Sequence, residues 1–131
     1  MNGPLSFWEA VDEIRVSDDR FAPEAYGFVM DALAYTLRSI GVPRHVSARE
    51  LLEGMCAFAR RRYGVMSYTL LERWNVTTTE DIGDVVFQLV DAGVLSRQES
   101  DSRLEFNDVF ALREVLETGY FDGSADGADA V

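Results

Sequence analysis

Few side chains in this chain could carry chemistry, and they are best weighed before the elements that hold them. His45 is the only histidine and Cys56 the only cysteine. A general base needs a nucleophile and an orienting group within hydrogen-bond reach, and a metal ligand needs further His or Cys at ligand spacing. His45 has neither nearby in sequence. It stands just before a strong helix start, which gives it a structural role in that turn; an enzyme using His45 with an acidic partner is the third-ranked reading. Cys56 falls mid-helix among apolar neighbours and lacks the electropositive setting a thiolate nucleophile wants. Asp18, Asp19 and Arg20 could meet a hard cation, but a loop turn with a local ion pair accounts for them. No phosphate-binding glycine loop, nucleophile elbow or carboxylate–histidine pairing occurs. The expectation is no catalytic residue, no metal and no cofactor: not an enzyme.

Charge is more informative. The chain has 131 residues and a formal net charge of -11. Residues 1–43 hold seven acids against three arginines, residues 44–74 three against six, and residues 75–131 thirteen against three. All basic side chains are arginine, so a lysine nucleophile or Schiff base is excluded. The acidic balance opposes attraction to phosphate backbones and anionic membranes. Within the basic segment Arg60, Arg61 and Arg62, joined by Arg44, Arg49 and Arg73, are the best nucleic-acid feature. Arginines in a last helical turn also complement the helix dipole. No apolar run reaches membrane-spanning length, and "MNGPLSFWEAVDEI" lacks the basic start and apolar core of a signal peptide. With one cysteine, the default compartment is the cytoplasm.

The elements that must position these groups are mostly helices. Ser6 with Glu9 forms a capping box ahead of Phe7, Val11 and Ile14. Pro23 suits the first turn of a helix running to about Ile40, where Gly41 and Pro43 stop it. That helix is apolar almost all round, with only Glu24, Asp31 and Arg38 as a polar stripe, so it is either central or half of an interface. Ser47 and Glu50 cap a third helix carrying Leu51, Leu52, Met55, Phe58 and Ala59, which ends in the arginine run before Gly64. "MSYTLLERW" is a short fourth. The fifth is capped by Thr77 with Glu80 or by Thr78 with Asp81, and its core face is Ile82, Val85, Val86, Leu89 and Val90. After Gly93, "VLSRQESDSRLEF" reads as two short strands about a polar turn, anchored by Val94, Leu95, Leu104 and Phe106. "DVFALREVLE" is a last helix, and residues 118–131 form an acidic tail expected to be disordered beyond a single domain over 1–117.

Helix, short helix, turn, amphipathic helix and hairpin is the order of a winged-helix module. The expected fold is mainly α: a winged-helix-like core of three helices plus a two-stranded β-hairpin, with an extra N-terminal helical layer. A closer match runs through "DDRFAPEAYGFVMDALAYT", "RHVSARELLEGM", "YGVMSYTLLERWNVTTTEDIGDVVFQLVDAGVLS" and "ESDSRLEF". It resembles a bacterial family of uncharacterised proteins. Its D-x-R-[FY] box stands here as Asp19–Phe21, its A-Y-x-F-V helix as Ala25–Val29, its H-V-S-x-x-E-L-L-x-G cap as His45–Gly54, and its W-x-[VL]-x-x-T-x-D-[FI]-G-x-[IV]-V-F segment as Trp74–Phe87. The chain departs from the pattern after the wing, where family members are richer in acidic and aromatic residues. The resemblance implies no particular activity.

In a winged-helix protein the fifth helix would read DNA. Here Asp81, Asp84, Gln88 and Asp91 recur opposite its core stripe, where carboxylates would meet phosphate walls without a neutralising partner. An acidic face suits a basic protein partner instead. The expectation is a protein–protein interaction or regulatory adaptor module that binds through these four residues, with a homodimer possible through the Pro23–Ile40 helix. Nucleic-acid binding through Arg60, Arg61, Arg62 and Arg73 is the alternative, at odds with the net charge. No membrane association is expected.

Overall fold

The computed structural model describes residues 6–96 and 102–118. Among the described residues six α-helices follow one another: α1 Phe7–Ser17, α2 Pro23–Ile40, α3 Ala48–Tyr63, α4 Ser67–Arg73, α5 Thr79–Asp91 and α6 Leu112–Thr118. A 3₁₀ turn, Gly64–Met66, joins α3 to α4, and a second, Arg103–Phe106, precedes α6. None of the described helices is long and apolar enough to cross a membrane.

The starts are set by side chains. Ser6 and Glu9, Ser47 and Glu50, and Thr78 and Asp81 form complete capping boxes, so the start of α5 falls to the Thr78–Asp81 pair. Pro23 opens α2, and Gly41 ends it in the left-handed region at φ 88°. With its apolar surface on several sides, α2 is central: α1, α3 and α5 all pack against it. Tyr26, Val29 and Ala32 meet Leu52, Met55, Ile82, Val85 and Leu89 in one core, while Glu24, Asp31 and Arg38 stay exposed. Where α2 crosses α3, Gly54 faces Thr36, whose hydroxyl donates back to the Ala32 carbonyl at 2.8 Å.

The winged-helix core is not formed. Among the described residues there is no strand, and the expected hairpin is replaced by a return of the chain onto α5. Gly93 turns at φ 81°, and the Val94 and Leu95 amides both donate to the Leu89 carbonyl, at 2.9 and 3.3 Å. Two donors of the would-be first strand are thus spent on closing a helix. Arg103–Phe106, the expected second strand, forms the 3₁₀ turn capped by Ser102. Its Leu104 is exposed while Phe106 is buried on α5, against the backbone of Gly83 and 6.3 Å from the Phe87 ring. A Cβ at position 83 would stand 2.7 Å from that of Phe106, so the absence of a side chain there permits the return. Residues 97–101, the expected hairpin turn, and the tail beyond Thr118 lie outside the described residues. The last helix begins at Leu112 rather than Asp108; Val109 instead donates its amide to the Thr79 hydroxyl at 3.2 Å.

Candidate functional site

The polar side of α5 is not the bare acidic face that helical periodicity suggests. Asp81 is consumed in the cap: its Oδ2 accepts the amides of Thr77 and Thr78 at 2.9 and 3.2 Å. Asp84 is the hub of an ion-pair cluster, with the Arg20 guanidinium against one carboxylate oxygen and Arg103 against the other. Arg103 Nη1 lies 2.8 Å from Asp84 Oδ1 but off the line of its N–H, so that contact is ionic rather than a directed hydrogen bond. Gln88 accepts from the Tyr26 hydroxyl and donates to Asp18 at 3.0 Å. Burial, reinforced by Asp18, pushes the Tyr26 phenol up to about 12, so it remains a donor through the neutral range. Asp91 alone is exposed and makes no ion pair or hydrogen bond among the described residues.

Asp84, Gln88 and Asp91 therefore do come together, but in a groove completed by Asp18, Arg20, Phe87 and Arg103, and Asp81 is not part of it. The loop turn expected at Asp18–Arg20 is present, since Asp18 accepts the Arg20 amide at 3.0 Å. Its ion pair reaches across the molecule to Asp84 rather than closing locally.

On the other side of Phe87 lies an apolar pocket of about 220 Å³. The end of α2 (Leu33, Leu37), the start of α3 (Leu51), α5 (Val86, Val90) and Phe106 wall it. Arg44, His45, Ser47 and Glu105 stand at its polar side. Arg44 is bidentate to Glu50, at 2.8 and 3.1 Å, and also donates to the His45 carbonyl. The Arg44 guanidinium and the Ser47 amide hold the Glu50 carboxyl down at about 2. His45 is exposed beside this cap, and the Ser47 hydroxyl is occupied by the Glu50 amide. Sequence periodicity could find the walls of this pocket but not their convergence, because they come from four separate elements.

The arginine run divides. Arg60 donates to the Leu116 carbonyl at 2.7 Å and pins α6 to α3. Arg62 lies over the Phe58 and Tyr63 rings, at 5.5 and 5.9 Å, with a 3.4 Å contact to Asp31. Arg61 is exposed, and Arg73 is exposed at the end of α4. Arg44 and Arg49 are paired with Glu50 and Glu53. Cys56 is fully buried, and burial pushes its thiol well above its ordinary range.

No protein family, no curated protein and no solved structure matches the chain.

Proposed function

We propose that this chain is a protein-interaction module, an adaptor or regulatory component, whose docking face is built around Phe87. The observation that carries the reading is that this one side chain on α5 borders both the apolar pocket and the groove of Asp18, Asp84, Gln88 and Asp91, where three carboxylates stand against Arg20 and Arg103. At about 220 Å³ the pocket falls below the ~300–1,000 Å³ of sites that enclose a drug-sized ligand. It suits a single anchor side chain, such as leucine or phenylalanine, filling a desolvated pocket at the centre of an interface. Basic residues flanking that anchor would cross the Phe87 ridge toward exposed Asp91, the carboxylate of this groove that no ion pair or hydrogen bond among the described residues engages. A net charge of -11 favours encounter with such a partner.

The test uses the full chain and synthetic peptides carrying one leucine or phenylalanine flanked by arginines, compared with the same anchors flanked by glutamates. The basic series should bind saturably, with backbone resonances of α5 and the end of α2 shifting. Leu37→Glu places a charge in the apolar wall and should weaken binding about 10- to 100-fold, the equivalent of ~1.5–3 kcal/mol for one apolar anchor. Asp91→Lys, at an exposed position, should weaken it several-fold and flatten its salt dependence without altering the fold. Equal binding of both peptide series, or basic-peptide binding untouched by Asp91→Lys, would overturn the proposal.

A further inference from the structure

Away from that face, α2 and the C-terminal half of α3 enclose a second groove of about 660 Å³, lined by Tyr35, Arg38, Ser39, Phe58, Arg61 and Arg62. Its floor is aromatic: the Tyr35 and Phe58 rings lie 5.4 Å apart at 43°, and Phe58 leans on Phe28 at 5.7 Å. Its rim is cationic. Arg38 and Arg61 are exposed and make no ion pair or hydrogen bond among the described residues, while Arg62 lies over the Phe58 and Tyr63 rings and reaches Asp31 at 3.4 Å. In a chain of net charge -11, three guanidinium groups around two rings go against the prevailing charge.

Their chemistry defines the ligand. Planar guanidinium forks match carboxylates and phosphates, and the rings favour a partner that brings a flat apolar group. A nucleic-acid strand would gain little here. Three arginines neutralise at most three phosphates, each contributing a salt-dependence slope of about -0.7 on a single strand, while the rest of the molecule repels the backbone. A short acidic peptide needs only two or three ion pairs, and screening shortens the reach of the chain's other carboxylates to about 8–10 Å. We infer that the α2–α3 groove is a second docking site, for an acidic peptide segment with aromatic side chains in a partner protein. The module would then hold two partner segments of opposite charge on separate faces. This inference stands on its own residues, and loss of the α5 site would leave it intact.

Fluorescein-labelled peptides alternating glutamate with tyrosine, lysine with tyrosine, and glutamate with alanine would be titrated into the full chain, beside single-stranded oligodeoxythymidine. The glutamate–tyrosine peptide should bind tightest, lose affinity with added salt, and weaken about 10-fold or more in the double variant R38A/R61A. Both arginines are exposed, so the variant should fold, and circular dichroism checks that it does. Tyr35→Ala should bring the glutamate–tyrosine peptide down to the glutamate–alanine level. Unchanged binding in R38A/R61A, equal affinity for the lysine–tyrosine peptide, or tighter binding of the oligonucleotide would each overturn the inference.

Discussion

Gly54→Ala should lower the melting temperature by roughly 10–15 °C, an unusually large effect for adding one methyl group to a helix. A Cβ at this position would stand 2.0 Å from Thr36 Oγ1 and 2.9 Å from Thr36 Cβ. Thr36 has nowhere to go: it is buried, and its hydroxyl is held by the Ala32 carbonyl. The two most closely packed helices, α2 and α3, would have to separate. Overpacking costs about 1–3 kcal/mol and occasionally more, and a 2.0 Å approach to a side chain held in place, with contacts among Leu52, Met55 and Ala32 opened as well, puts the gross cost at ~3–4 kcal/mol. Alanine's helix propensity returns ~1 kcal/mol at most. A net loss of ~2–3 kcal/mol corresponds to the stated shift, at roughly 5 °C per kcal/mol for a domain of this size. Thr36→Ala in the same chain removes the two atoms Oγ1 and Cγ2, so the double variant should be less destabilised than the two single changes summed. Thermal melts of the four proteins in that cycle decide it. A single variant melting within ~2 °C of the parent would show that the helices do not meet at this point.

The second large effect concerns Cys56, on the same helix. Its side chain is fully buried, and burial disfavours the thiolate that thiol reagents attack; nearby Glu53 adds to that and Arg60 offsets part of it. Modification must therefore wait for the structure to open. For a domain with a stability of ~5 kcal/mol or more, the native thiol should react at least ~10³-fold more slowly than the denatured one. Gly54→Ala should raise the native rate about 30- to 150-fold, as a loss of ~2–3 kcal/mol requires if opening is global. Absorbance of a released thiolate dye follows both rates. Rapid reaction of the native parent would contradict the packing of α3 against α2 and α5.

How much of this was legible in the sequence differs by element. The helix starts were, because Ser6–Glu9 and Ser47–Glu50 satisfy their amides from within four residues. Pro23 and Gly41 likewise act through their own backbone angles. The hairpin does not form because its signal, two short apolar segments about a polar turn after a glycine, is also what a helix cap followed by a returning chain looks like. What decides between them is Gly83 receiving Phe106, a contact between separate elements. The same limit applies to the sites. Periodicity put Asp84, Gln88 and Asp91 on one side of α5, but not Arg20 or Tyr26 against them. Arg38 read as part of a polar stripe on α2, and only the α2–α3 pairing sets it beside Arg61.

The clasp around α5 has a consequence for the order in which the chain folds. Arg20–Asp84, Tyr26–Gln88 and Asp18–Gln88 join positions 62 to 70 residues apart, and Asn75 adds a bond to the Arg20 carbonyl across 55. Such closures must be preceded by a large loss of chain entropy, whereas α2 and α3 are neighbours in sequence and can pair over a short connection. The clasp should therefore form after the rate-limiting step. Weakening it through Gln88→Ala should accelerate unfolding and leave the folding rate nearly constant, which stopped-flow chevron arms would report. If so, these bonds act as a latch: they set how long the native state lasts, and contribute little to how fast it is reached.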